Sequence, residues 1–141
     1  MTYTKYSASG NDFVIFHTFL EKDYTNDAIK LCNRTEGIGA DGLVVIVPSN
    51  DADFKWLFYN SDGSYASMCG NATRAVSHYA FTNNLVPSNE IEFLTGAGLI
   101  KSCVENDIVE TQLTAPKVVK DEFIQDGFTW YLVDTGVPHL V

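Results

Sequence analysis

Apolar and polar positions alternate along residues 2–8 and again along 13–17, which predicts two short strands with a turn at Gly10-Asn11-Asp12 between them. Residues 25–34 put Ala28, Ile29, Leu31 and Cys32 largely on one side of a helix that Thr25 or Asn26 would cap. A glycine-rich turn, Gly37 to Gly42, leads into Leu43-Val44-Val45-Ile46-Val47, the unbroken apolar run of a buried strand. Residues 53–60 predict another strand, closed by Asn60-Ser61-Asp62-Gly63. The clearest helix covers 71–85. Ala72, Ala75, Val76, Tyr79, Ala80 and Leu85 recur at helical spacing, while Arg74, Ser77, His78 and Thr82 fall mostly off that stripe. Three alternating segments, 90–95, 99–104 and 108–114, follow with short links and predict a meander.

Ala115-Pro116-Lys117 breaks this pattern, and a charged stretch runs on to Asp126. Proline ends strands and stiffens connections, so the expected division is a domain at 1–115 followed by a linker. Residues 128–133 then predict the first strand of a second, incomplete unit within 116–141. The apolar finish Pro138-His139-Leu140-Val141 has no polar tail, and an unpaired apolar end is a liability. The expectation is that the natural protein continues.

With 141 residues, 45% of them hydrophobic, the chain can bury a real core. A formal charge of −9 argues against a nucleic-acid partner, because phosphate binding needs a basic face. No segment approaches the roughly 20 apolar residues of a membrane span, and the short run 13–16 does not make a secretory signal. Cys32, Cys69 and Cys103 are odd in number and lie in unrelated contexts, which reads as a reduced, cytoplasmic protein. Neither a Cys-x-x-Cys pair nor a His-Glu-x-x-His motif occurs, so no metal is expected.

Cys69 stands at the start of the best helix, where unpaired N–H groups and the positive end of the helix dipole favour a thiolate. Gly70 leaves the backbone beside the sulfur open, and Asn71 adds an amide that donates or accepts. The competing reading is a small buried residue in a strand-to-helix turn. Plain packing explains Cys32, on the apolar side of a helix, and Cys103, inside a strand. Taken singly, Gly10 to Phe13, Asn60 to Gly63 and Gly37 to Gly42 each read as turns. The last also lacks both the P-loop ending and the Gly-x-Gly-x-x-Gly order of a nucleotide loop.

Their order changes that weighing. Ser9-Gly10-Asn11-Asp12-Phe13, Gly37-Ile38-Gly39-Ala40-Asp41-Gly42-Leu43, Tyr59-Asn60-Ser61-Asp62-Gly63-Ser64, Met68-Cys69-Gly70-Asn71 with Arg74, and Gly136-Val137-Pro138-His139 together resemble the diaminopimelate epimerase family. The resemblance implies an α/β (α+β) fold, a curled sheet around a central helix, as the first of two similar domains with the active site between them. It implies epimerisation of LL- to meso-diaminopimelate for lysine and peptidoglycan precursor synthesis, with no cofactor, neither pyridoxal phosphate nor metal. Cys69 matches the first catalytic cysteine; Asn11, Asn60, Gly70 and Asn71 match substrate-binding positions; His139 matches a histidine that influences the thiols' ionisation. The partners so implied are a small amino-acid substrate and a carboxy-terminal domain of the same chain carrying the second cysteine. A homodimer is also compatible with the sequence. The chain departs from the family's usual pattern in three places: Ser7-Ala8-Ser9, Ala72-Thr73, and Val137 where a ligand-binding asparagine is common.

Inverting an α-carbon needs a proton removed from one face and another returned to the opposite face, which a thiolate and a thiol can do. Two alternatives of the same architecture are a proline racemase and a phenazine-type isomerase. From different classes come a non-catalytic small-molecule-binding domain and a thiol hydrolase pairing Cys69 with His17, His78 or His139.

Overall fold

The alternating start of the chain folds back through Ser9 (φ 57°) and Gly10 (φ 86°), both left-handed, in the two-residue turn that suits the twist of a hairpin. This joins β1 (Thr4–Ala8) to β2 (Asn11–His17), with Ala8 opposite Asn11. Asn11 and Asp12 therefore sit in the strand, and the turn falls earlier than the sequence suggested. The computed structural model describes residues 2–141.

Seven strands form one sheet in chain order: β1, β2, β3 (Gly42–Val47), β4 (Phe54–Asn60), β5 (Glu90–Thr95), β6 (Gly98–Glu105) and β7 (Ile108–Gln112). Two pairs are parallel, and each is bridged by a helix. Helix α1 (Thr25–Cys32) lies between β2 and β3, and α2 (Gly70–Thr82) between β4 and β5. The last three strands are the expected antiparallel meander.

The sheet is curled into a half-barrel around α2, which touches β1 and β2 near one edge and β6 and β7 at the other. Ala72, Ala75, Val76, Tyr79 and Ala80 face Phe13, Ile15, Val44, Trp56, Phe93 and Ile100, all buried. The small alanines let the helix sit close to the strands. On the opposite face α1 covers Val14, Phe16, Leu43, Val45 and Leu57 with Tyr24, Ala28 and Cys32. Strand β3 is buried at every position because both of its faces are covered, and its unbroken apolar run follows from that. Strands β5 to β7 are covered on one face only; Glu92 and Lys101 pair across the outer face at 2.6 Å.

Some local expectations are corrected. The cap of α1 is Tyr24 rather than Thr25 or Asn26 and makes no side-chain cap bond; Thr25 instead donates from its N–H and hydroxyl to Asp23. Ser77, placed off the apolar stripe, is fully buried. It donates to Thr73 O at 2.7 Å and meets the Ser102 hydroxyl at 2.7 Å, tying α2 to β6.

Residues 117–125, whose charges read as a linker, form strand β8 (Lys117–Gln125). It pairs with β9 (Phe128–Asp134) through a turn at Asp126 and Gly127, both with positive φ. The apolar end is paired as well: β10 (Pro138–Leu140) runs antiparallel to β9 in a three-stranded sheet. The β9–β10 turn meets the loop before α2 and the residues just after β7. Thr114 donates to Thr135 O at 2.5 Å, and a side chain at Gly136 would meet Met68 at 2.9 Å.

Candidate active site

Cys69 is the N-cap of α2, in extended conformation (φ −158°, ψ 118°), and no side chain caps the helix mouth. Its carbonyl accepts from Thr73 N at 3.0 Å, which starts the helix. The half-buried sulfur opens into a cavity of about 530 Å³ together with Asn11, Asn60, Gly70 and Asn71. Strand β2 delivers Asn11, the end of β4 delivers Asn60, and the first turn of α2 delivers Gly70 and Asn71. The β9–β10 turn adds Val137, and β10 adds His139, to the same cavity. All the site residues anticipated from sequence thus share one cavity, although they run from Asn11 to His139 along the chain.

Nothing in the fold demands glycine at 70. A Cβ there would meet only Leu113 at 3.6 Å, an ordinary contact, and the residue has no positive φ. Gly42 differs, since a Cβ would lie 2.7 Å from Phe58 and 2.9 Å from Tyr59 O. Gly42 is glycine for packing; Gly70 lines the cavity beside Cys69 with space for a Cβ.

The asparagines are tied together. Asn11 Oδ1 accepts from Cys69 Sγ at 3.6 Å and from Asn71 Nδ2 at 3.2 Å, and Asn11 Nδ2 donates to Asp41 Oδ2 at 2.8 Å. Arg74 donates to Asn71 Oδ1 and, at 3.3 Å, to Gly70 O. Asn60 Nδ2 donates to the Ser64 hydroxyl at 2.9 Å. Behind Asp41 lies an ionic cluster. Arg34 grips Asp12 through both guanidinium nitrogens (3.1 and 2.9 Å) and Asp41 at 2.8 Å, while Lys5 reaches Asp12 at 3.1 Å. The Arg34 hydrogen bonds hold the Asp12 carboxyl well below the usual carboxylate range, outweighing the opposing cost of burial, with Lys5 adding to the effect. The sequence reading missed this cluster. The signal available was a pair of aspartates inside two motifs that otherwise serve as turns.

The other thiols lie elsewhere. Burial, reinforced by the nearby Asp12 charge, pushes the Cys32 thiol up to about 11. Cys103 lies in β6 between Glu90 and Glu110 of the neighbouring strands. Of the histidines, His17 bonds Tyr79 at 2.8 Å and His78 bonds Tyr6 at 3.0 Å, and each borders a different cavity from that of Cys69. Among the described residues, no helix is long and apolar enough to cross a membrane.

A half-barrel sheet wrapped on a central helix is the fold of a class of solved proteins that includes racemases and epimerases. A probable proline racemase from Agrobacterium radiobacter K84 superposes with TM-score 0.75 at 12% identity, covering 98% of this chain and 50% of that one. A Bacillus anthracis phenazine biosynthesis protein gives 0.68 at 15% identity, over 98% of this chain and 52% of that one. A hydroxyproline epimerase from Agrobacterium vitis gives 0.66 at 13% identity, over 98% and 50%. These likenesses establish the fold. Within that class, residues 3–119 match the sequence model of the family described as diaminopimelate epimerase, and the chain belongs to that family. The diaminopimelate epimerase of a Nitratiruptor species is 56% identical over all 141 residues, and that of Campylobacter lari 55%. The Helicobacter pylori relative is 45% identical. The chain spans 56% of the length of each of these relatives.

Proposed function

We propose that this chain is the amino-terminal half of a diaminopimelate epimerase, with Cys69 as one of two catalytic thiols. The reaction converts LL- to meso-diaminopimelate for lysine and peptidoglycan precursor synthesis. The observation that carries the reading is the Cys69 sulfur at an uncapped helix mouth, opening into one cavity with Asn11, Asn60, Gly70 and Asn71. A thiolate takes the α-proton, the electron pair left on the α-carbon delocalises into the adjacent carboxylate, and a thiol on the opposite face returns a proton. The free N–H groups in the first turn of α2 suit the oxygens on which that charge develops. Asn11, Asn60 and Asn71 bind the substrate by hydrogen bonds, and His139, on the cavity wall, acts on the ionisation of the thiols. The opposing thiol comes from a carboxy-terminal domain, a reading supported by the greater length of the relatives. Residues 1–115 would be the first domain and 116–141 the start of the second; the change of sheet between Gln112 and Lys117 supports that division.

The test is exchange of solvent deuterium into diaminopimelate by the intact protein, with proline assayed beside it. Exchange into diaminopimelate that is lost in Cys69→Ser is the expected result. Undiminished exchange in that variant, or exchange into proline alone, overturns the assignment.

A further inference from the structure

The asparagine pair at the site is held between two ions of opposite hydrogen-bonding character. A guanidinium can only donate and a carboxylate can only accept. Arg74 donates to Asn71 Oδ1, Asn71 Nδ2 donates to Asn11 Oδ1, and Asn11 Nδ2 donates to Asp41 Oδ2. Every bond in this relay runs from Arg74 toward Asp41, so the orientation of both amides is decided at its ends. The group that Asn11 turns toward Cys69 is therefore its carbonyl oxygen, 3.6 Å from Sγ. A carbonyl oxygen accepts from an S–H and repels a thiolate.

We propose that Asp41, clamped by Arg34, is a positioning residue that locks the Asn11 amide with its oxygen on Cys69 and so keeps the proton on that sulfur in the open site. The inference rests on reading Cys69 as a catalytic thiol. It opposes the bias of the helix N-terminus, which favours the thiolate. The charged and titratable groups facing this corner are Asp41 from the loop before β3, Arg74 from α2 and His139 from β10, with Asp12, Arg34 and Lys5 one layer behind. Arg34 also sets the outcome of altering Asp41. It holds Asp41 Oδ1 at 2.8 Å and demands an acceptor there. In Asp41→Asn the single remaining oxygen goes to Arg34 and the new NH2 group turns to Asn11, which then has a donor on each side, this one and Asn71 Nδ2; its amide is no longer locked and turns its own NH2 to the sulfur in part of the population. In Asp41→Glu both oxygens remain and the lock survives.

The experiment measures alkylation of Cys69 by iodoacetamide at neutral pH in the intact protein, read by mass spectrometry of the Cys69 peptide so that Cys103 does not contribute. Asp41→Asn should raise the rate roughly fivefold, the effect of one hydrogen bond of ordinary strength. Asp41→Glu should stay near the wild-type rate, and Asp41→Asn should have no effect in an Asn11→Ala background. An unchanged rate in Asp41→Asn, an equal rise in Asp41→Glu, or a rise that persists without Asn11 overturns the proposal. Should Asp41→Asn fail to fold, Asp41→Ala, which leaves no acceptor for Asn11 Nδ2, is read in the same way. The readout needs no turnover. Loss of this effect with epimerase activity intact refutes the lock alone, and absence of activity with the effect intact refutes the proposed function alone.

Discussion

Cys69 Sγ and Asn11 Oδ1 lie 3.6 Å apart although 58 residues separate them in the chain. Their contact joins the mouth of α2 to the first residue of the second hairpin strand, and it exists only because the sheet curls far enough to bring β2 against the helix it surrounds. Around this contact the cavity, the asparagine relay and the ionic cluster are built.

Gly70→Ala separates function from folding. The added methyl finds Leu113 at a normal distance, and alanine is the better helix residue by up to about 1 kcal/mol. Thermal stability should hold or rise slightly. In the intact protein kcat/KM for diaminopimelate should fall roughly tenfold or more, because the methyl stands where substrate must approach the sulfur. Full activity in a stable Gly70→Ala protein would show that the opening beside Cys69 is unused.

Asp12 makes stability depend on pH in a definite direction. Its folded-state carboxyl is held below the ordinary value of about 4, so its contribution is present above that pH and drains away as pH falls toward the lowered folded value. Asp12→Asn should be less stable than wild type at pH 7, and the Tm difference should shrink steadily below about pH 4. A gap that stays constant down to about pH 2 would mean that the charge of Asp12 contributes nothing.

Ser77 and Ser102 should behave as a coupled pair. Ser77→Ala strands the Ser102 hydroxyl, which is 7% exposed, and should cost about 1–3 kcal/mol in chemical denaturation. The double variant should lose less than the sum of the two single changes, because each single change already breaks the shared bond. Strict additivity would count against the pairing.

Ala80, fully buried where α2 meets the sheet, has no room for a larger side chain. Ala80→Leu should lower stability by about 1–3 kcal/mol, read as a shifted denaturation midpoint with the cavity residues untouched.

Residues 1–141 alone should not exchange deuterium into diaminopimelate. The one thiol in the cavity is Cys69; Cys32 is buried with its thiol pushed up to about 11, and Cys103 lies on β6 away from the site. A measurable rate from the isolated chain would require a second base within it and would overturn the two-thiol reading.

Much of this protein is legible in its local pattern. The run 43–47 marks a strand buried on both faces, the repeat from Ala72 to Ala80 marks a helix against a sheet, and Asp126-Gly127 marks a hairpin turn, because each is governed by near neighbours in the chain. The order of the motifs around Asn11, Asp41, Asn60, Cys69 and His139 also pointed to the family. What pattern could not supply was contact between distant residues. The charges of 117–125 suggested a linker, yet the segment is a strand, since pairing with β9 satisfies its backbone whatever its side chains prefer. Ser77 looked like a surface residue, yet it is buried, because Ser102 on β6 supplies its partner. Asp41 read as part of a turn; Arg34, from the same connection, and Asn11, from β2, take one carboxylate oxygen each. Sequence by itself marks most of the strands and both helices, and determines that Cys69 starts a helix. Only the curl of the sheet decides which atom of Asn11 faces that sulfur, because hydrogen-bond polarity is settled by the ions at the ends of a network that no single segment contains.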